Sequence, residues 1–249
     1  MNKILIMLGL TITLLFSKGE KGEFDYYVFA LSWEAGFCEK QNYSKIECKE
    51  AQKDEFSVNN FILHGLWPNK NDDPFSKYSD CENTYKCESE GGCWPNLPDL
   101  HLTAVYKEKL SKYMPGVDSY LQRHEWHKHG TCTNKTPTEY FNQASKLVEE
   151  FSKSSFDDFI SDHRGSRVTN GQIYQEFEKA FGKSSARTLK LLCSKKANGK
   201  YLTEIRFSLK KDIDVTKSIS SNIFTPEGNQ FDGCGGENSY VNILELKTK

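Results

Sequence analysis

Eight cysteines behind a short apolar leader constrain this chain more than any other feature. They are Cys38, Cys48, Cys81, Cys87, Cys93, Cys132, Cys193 and Cys234. The leader opens with Met1-Asn2-Lys3, is apolar from Ile4 to Phe16 apart from two threonines, and ends in Ser17-Lys18-Gly19. A positive end, an apolar stretch and small residues, in that order, form the pattern of a secretory signal peptide, expected here over residues 1–19. The stretch is shorter than the ~20 residues a membrane span needs, and an uncleaved signal anchor is the alternative. An even cysteine count on a secretory route reads as a disulfide framework. Eight cysteines allow about 105 pairings, and spacing alone selects none. Zinc ligation asks for close pairs such as Cys-x-x-Cys, and no such pair occurs.

Removing the leader takes away Lys3 and Lys18, which leaves 31 basic against 34 acidic residues. A globally basic nucleic-acid coat is therefore excluded, and any polyanion has to be met locally. Aromatic residues make up 13% of the 249-residue chain, enough to exclude intrinsic disorder. No further long apolar run, retention tail or lipid-anchor signal follows. The mature protein is expected to be soluble, without a membrane span, and either extracellular or lumenal in an acidic, lysosome-like compartment. Two sequons, Asn42-Tyr43-Ser44 and Asn134-Lys135-Thr136, mark Asn42 and Asn134 as glycosylation candidates.

No repeat or linker divides residues 20–249, so one domain is expected. Tyr26 to Trp33 is dense in β-formers and predicts a buried strand, and Phe61-Ile62-Leu63 a short strand end. Residues 69–100 read as a long loop region. Helices are predicted over Thr103–Tyr113, over Ser119 to about His129, over Tyr140–Phe151 behind the capping box Thr136-Pro137-Thr138-Glu139, and from Thr169 to Phe181 with Gly182 as the stop. Leu189–Cys193 and Tyr201–Leu209 read as strands joined at Asn198-Gly199, and Tyr240–Leu246 as a last strand. Strands at both ends with helices between them predict an α+β fold. Residues 183–217 hold ten Lys and Arg but only Glu204, Asp212 and Asp214 as acids. That stretch reads as a solvated strand face, with RNA steering or cell-surface binding as the sharper alternative.

Two segments carry most of the histidines: His64-Gly65-Leu66-Trp67-Pro68, and His124-Glu125-Trp126-His127-Lys128-His129-Gly130-Thr131-Cys132. At ~100° per residue, His124, Lys128, Glu125 and His129 share an arc of ~140° on one helix face. Trp126 falls on the opposite side and His127 at the edge of the arc. Two positioned imidazoles can run acid–base chemistry, and a cation beside them can stabilise a phosphorane-like transition state. RNA brings its own nucleophile, the 2′-OH, so internal transfer needs neither a metal nor an enzyme nucleophile. The zinc-protease pattern His-Glu-x-x-His fails, because its fifth position is Lys128. His124 and His127 could still ligate a metal three residues apart, but no third ligand is evident. His101 and His163 are isolated and receive no role.

These two segments, about 60 residues apart, resemble the active-site segments of the ribonuclease T2 family. The Tyr26–Trp33 strand followed by Cys38, and the late Cys193 and Cys234, are similar to the family's two ends. The resemblance implies an α+β fold with a central antiparallel sheet flanked by helices in one disulfide-bonded domain. It implies metal-independent endonucleolytic cleavage of single-stranded RNA through a 2′,3′-cyclic phosphate, with no cofactor. His129 would be the general base and His64 the general acid. His124 would bind the phosphate, Glu125 with Lys128 would stabilise the transition state, and Trp67 would stack on a base. The pairings implied are Cys38–Cys48, Cys93–Cys132 and Cys193–Cys234, which leaves Cys81–Cys87 as a local pair. His127 and Asn69 depart from the family pattern, where acidic residues are common. His127 is expected to add positive charge beside the site, and Asn69 to alter a base pocket. A monomer is expected, with uptake by a cell-surface receptor through glycans as a further partnership. The rival expectation is a secreted binding or signalling glycoprotein in which catalysis is secondary.

Overall fold

Seven consecutive buried residues, Tyr26–Ser32, form strand β1 and divide the molecule into two sides. Alternate side chains leave a strand on opposite faces. Tyr27, Phe29 and Leu31 enter the large hydrophobic core, while Tyr26, Val28 and Ala30 pack with Trp67 and Phe224 on the other side. This computed structural model describes residues 19–51, 54–71, 78–82, 87, 92–226 and 233–247. The expected leader therefore lies, except for Gly19, outside the described residues.

Three short helices follow β1: α1 (Glu34–Lys40), α2 (Ile46–Glu50) and α3 (Glu55–Asn59). Strand β2 (Ile62–Asn69) then returns antiparallel to β1. The sequence predicted only Phe61–Leu63 as strand, yet β2 continues through His64 and Pro68. The proline is tolerated because β2 is an edge strand, with no second neighbour for the missing N–H to serve. Next come α4 (Ala104–Tyr113), α5 (Leu121–Lys128), α6 (Pro137–Phe151), α7 (Ser155–Asp162), β3 (Arg167–Thr169) and α8 (Asn170–Phe181). The chain closes with β4 (Lys190–Lys196), β5 (Gly199–Lys210), α9 (Ile219–Asn222) and β6 (Tyr240–Asn242).

The sheet order is β2-β1-β5-β6-β3, with β4 also paired to β5. All these pairings are antiparallel except the single parallel bridge Tyr201–Asn242 between β5 and β6. This is the expected α+β architecture. The last strand stops at Asn242 instead of Leu246.

The expected capping box, Thr136 with Glu139 on α6, is present, and Thr169 with Gln172 forms a second at the start of α8. Gly182 ends α8 at φ +103°, a conformation that L side chains resist. The apolar faces of α6, α7 and α8 meet the sheet through an aromatic cluster. Phe151, Phe156, Phe177 and Phe207 are each buried to within 1%. Burying one such ring contributes ~1.5–3 kcal/mol, so this cluster fixes the helical layer on one side of the sheet and leaves the other side for the site.

Two of the four expected disulfides are formed, Cys38–Cys48 and Cys193–Cys234. The other two expectations, Cys81–Cys87 and Cys93–Cys132, are corrected to Cys81–Cys132 and Cys87–Cys93. The reason is the docking of the segment before Cys81. The Asp80 N–H donates to the Lys128 carbonyl at 2.7 Å, which sets Cys81 against Cys132 with a Cα–Cα distance of 4.9 Å. Cys93 instead precedes the 3-10 turn Trp94–Asn96, whose Trp94 stacks on His124 farther up α5.

Candidate active site

The site forms where the edge strand β2 meets α5 and the polar face of β5. His64 is there because of a register fault. Ala30 pairs with Gly65 and Leu31 with Leu63, which leaves His64 as the extra residue of a β-bulge. A bulge re-aims the side chain it carries. A second bulge lies on β5, where Leu192 pairs with Glu204 and Cys193 with Leu202, so Thr203 is the extra residue. Thr203 is pinned by its hydroxyl, which donates to the Leu192 carbonyl at 3.0 Å, and by its own carbonyl, which accepts the Trp33 N–H at 3.0 Å. Beyond that bulge Ile205, Phe207 and Leu209 enter the main core, and Glu204 and Arg206 take the opposite face.

Helix α5 presents the predicted arc. Glu125 is buried, His129 closes the helix as its C-terminal cap and is 6% exposed, and His124 and Lys128 are half-buried. Trp126 packs against Tyr140 on the core side. Glu125 reaches the strand because residue 65 has no side chain. A Cβ there would stand 2.1 Å from Glu125 Oε2 and 2.1 Å from Trp67 Nε1. In that space the Trp67 indole N–H donates to Glu125 Oε2 at 2.6 Å.

Trp67 is the hub of the constellation. The His64 ring meets it edge-on at 5.1 Å and the His129 ring stacks on it at 5.2 Å. The Arg206 guanidinium lies over the same indole at 4.6 Å. With the residue only 7% exposed, no indole face is open in this arrangement for the base expected to stack there. Its contacts instead position both imidazoles and Glu125.

The electrostatics separate the two imidazoles. Burial alone would push His64 down, but Glu204 and Glu125 raise it above its ordinary value. His64 Nδ1 lies 2.7 Å from Glu204 Oε2, and its Nε2 lies 3.8 Å from Glu125 Oε1. His129 moves the opposite way. Burial first, then the charges of Lys128, His124, His64 and Arg206, hold it well below its ordinary value. Burial and Lys128 push His124 down to about 4, so it is neutral rather than an imidazolium at neutral pH. Burial raises Glu125 to about 7, against the pull of His64 and the Trp67 N–H. The site thus pairs an imidazole pushed toward its charged form with two pushed toward their neutral form, beside the Lys128 side chain and a carboxyl that titrates near neutrality.

His127 stands apart from this group. Its Nε2 lies 3.2 Å from the Pro98 carbonyl, and burial lowers it, which works against the expected positive charge. Asn69 is buried, and its amide donates to the Tyr26 hydroxyl at 2.8 Å. It lines a small cleft with Tyr26, Val28, Lys190, Arg206 and Ser208, next to Trp67. His101 is exposed, and His163 sits 2.7 Å from the Phe159 carbonyl, so neither joins the site. Asn42 and Asn134 are both exposed.

Sequence reasoning missed Glu204, Arg206 and Trp94 as members of the site. The first two were counted only as charges in the basic stretch, which the structure divides. Lys196, Lys200, Lys210, Lys211 and Lys217 are tied to nearby carboxylates or carbonyls, while Arg206 turns to the site. The usable signal was a Glu-x-Arg pair inside an otherwise apolar strand. Trp94 stacks on His124 at 4.6 Å, with the Lys45 ammonium 5.2 Å from its ring centre. Among the described residues, the only cluster of metal-ligand types is Glu34, Cys38 and Cys48, whose two sulfurs are joined to each other. No helix among the described residues is long and apolar enough to cross a membrane.

Comparison with known proteins places this geometry. A family profile described as Ribonuclease T2 family matches residues 24–222. The chain is 31% identical over 223 residues to Ribonuclease I of Escherichia coli (strain K12), covering 83% of this chain and 82% of that protein. It is 27% identical over 240 residues to Intracellular ribonuclease LX of Solanum lycopersicum, covering 95% and 92%. Among solved structures, the fold is similar to the self-incompatibility associated SF11-RNase of Nicotiana alata. The TM-score is 0.60 at 18% identity, over 90% of this chain and 100% of that one.

Proposed function

The chain belongs to the ribonuclease T2 family, and from that premise we propose that this endoribonuclease cuts single-stranded RNA by internal transphosphorylation. The carrying observation is that two imidazoles touching one indole are pushed in opposite directions, His64 toward its protonated form by Glu204 and Glu125 and His129 toward its neutral form by burial and Lys128. That is the pair of states a general acid and a general base need before the reaction starts.

His129 takes the proton from the 2′-OH, and the 2′-oxygen attacks the adjacent phosphorus. Charge builds on the non-bridging oxygens of the five-coordinate transition state. Lys128 supplies a cation there, and His124 an imidazole N–H. The negative charge of the arriving phosphate opposes the Lys128 and His64 charges that, with burial, hold His124 down, so it favours a protonated His124 that binds more strongly in the same event. Glu125 carries a proton below about pH 7 and donates it in a hydrogen bond to a phosphate oxygen; above that pH its negative charge would oppose the phosphate. His64 gives its proton to the leaving 5′-oxygen. The products are a 2′,3′-cyclic phosphate and a 5′-hydroxyl end, and no atom of the enzyme is consumed.

The leader pattern, the disulfides and the sequons support a secreted or acidic-lumenal protein that acts as a single chain, open to glycan-mediated uptake. The deciding experiment is a digest of single-stranded RNA in EDTA by the oxidised protein, beside His64→Ala and His129→Ala. Cleavage by the wild type alone, leaving 2′,3′-cyclic phosphate ends, is expected. Full activity of folded His129→Ala would refute the assignment.

A further inference from the structure

We infer that Glu204 is the positioning residue of the reaction's acid: its carboxylate, clamped by Arg206, fixes the His64 imidazole with one nitrogen turned to the leaving group. The inference rests on the proposal that His64 is that acid.

Glu204 is 9% exposed and lies inside the sheet, at the first paired position after the β5 bulge. One of its oxygens lies 2.7 Å from His64 Nδ1, and the other accepts the Arg206 Nε–H. His64 and Arg206 together pull the buried carboxyl down to about 2, against the upward push of burial, so it is a carboxylate at any working pH. A carboxylate only accepts hydrogen bonds, so His64 Nδ1 must carry a proton in both of its charge states. Nε2 is then the nitrogen that gains and loses the mobile proton. The charged and titratable groups that face the imidazole are Glu204 and Arg206 of β5, Glu125 and His124 of α5, and His129 at the end of that helix. Of these, Glu204 alone makes a hydrogen bond to it. The arrangement has the logic of a carboxylate that orients a catalytic histidine and stabilises its imidazolium. It also explains the two bulges, because His64 and Glu204 come from strands that do not touch each other. Strand β1 separates them, and both side chains must clear it on the same face.

The test uses Glu204→Gln and Glu204→Asp in the full oxidised protein, with two substrates and one spectroscopic readout. The first substrate is a dinucleoside monophosphate, whose 5′-alkoxide leaves only with a proton. The second is a uridine 3′-(4-nitrophenyl phosphate), whose phenolate leaves without one. Glu204→Gln is expected to lower kcat on the dinucleotide by about 10- to 100-fold, with KM nearly unchanged. On the nitrophenyl ester it is expected to stay within about threefold of wild type. Glu204→Asp, which keeps the charge, should recover part of the loss. Imidazole NMR should show the His64 titration falling in Glu204→Gln and losing its fixed Nδ1–H tautomer.

If His64 titrates in Glu204→Gln as it does in the wild type, the inference is overturned whatever the rates. An equal loss on both substrates would overturn it too, as the mark of a merely structural residue. If the titration falls and neither substrate slows, the assignment of His64 as the acid fails instead. Should Glu204→Gln not fold, the His64 titration in Arg206→Gln decides between the same outcomes: a smaller downward shift is expected, and no shift overturns the inference.

Discussion

Replacing Gly65 by alanine adds one methyl group at the tightest point of the site. Gly65 has an ordinary φ, so alanine brings no backbone strain there, and the effect is purely one of space. The new Cβ would lie 2.1 Å from both Glu125 Oε2 and Trp67 Nε1, while ordinary contact begins at 3.4 Å. Each atom must therefore retreat by about 1.3 Å. They are hydrogen-bonded to each other at 2.6 Å, and the methyl sits against both, so the bond does not survive. Losing a buried hydrogen bond to a charged or titrating group costs ~1.5–3 kcal/mol, and overpacking adds ~1–3 kcal/mol. The expected loss of stability is ~2.5–6 kcal/mol, a fall in Tm of ~5–24 °C for a chain of this size. Activity should fall further than stability, since moving a transition-state group by ~1 Å costs on the order of 10²-fold. The measurements are Tm by near-ultraviolet circular dichroism and kcat/KM on a dinucleotide below the transition. Gly182→Ala is the control. It has open space around its Cβ but φ +103°, so it should lose stability by ~1–2 kcal/mol and keep full kcat/KM. A Gly65→Ala enzyme with wild-type Tm and wild-type kcat/KM would refute the close approach of Glu125 to the strand.

Two further outcomes are expected. kcat/KM on a dinucleotide should be bell-shaped, falling above about pH 7 as Glu125 loses its proton and at low pH as the base His129, held well below its ordinary value, gains one. A flat profile from pH 4 to 8, or a maximum above pH 8, would count against this assignment. Non-reducing peptide mapping should recover Cys81 joined to Cys132 and Cys87 joined to Cys93; a Cys93–Cys132 peptide would contradict the fold. On a chain-entropy basis, Cys132→Ser with Cys81→Ser should cost ~4 kcal/mol, against ~2 kcal/mol for the shorter Cys87–Cys93 loop.

The parts of the site legible in the sequence were those written in local pattern. The α5 arc follows from helical geometry alone, and Glu125, Lys128 and His129 stand where 100° per residue puts them. The capping box at Thr136, the helix start at Thr169 and the Asn198-Gly199 turn are equally local, and all are observed. What escaped depends on distance along the chain. The predicted strand stops at Leu63, although β2 runs on through His64–Pro68, and only its edge position makes the proline harmless. His64 and Glu204 are 140 residues apart, and a pairing register decides that they meet. A one-residue bulge leaves no mark in composition. The cysteine framework failed in the same way. The choice between Cys81 and Cys93 as partner of Cys132 turns on a backbone hydrogen bond from Asp80 to Lys128. For Trp67, the resemblance implied a stacking platform, and the ring contacts it makes with Arg206 and His129 were not visible in the sequence.

The placement of β5 has a consequence for the making of this protein. β5 runs between β1 and β4 in the sheet, yet it is synthesised after α5 and β2. A chain still being extruded already carries His64, Glu125 and His129, but β1 has one side unoccupied and His64 lacks its hydrogen bond to Glu204. The catalytic set closes only when residues beyond 204 arrive and the last long strand slots in. A chain that ends before β5 therefore lacks the carboxylate to which His64 is hydrogen-bonded.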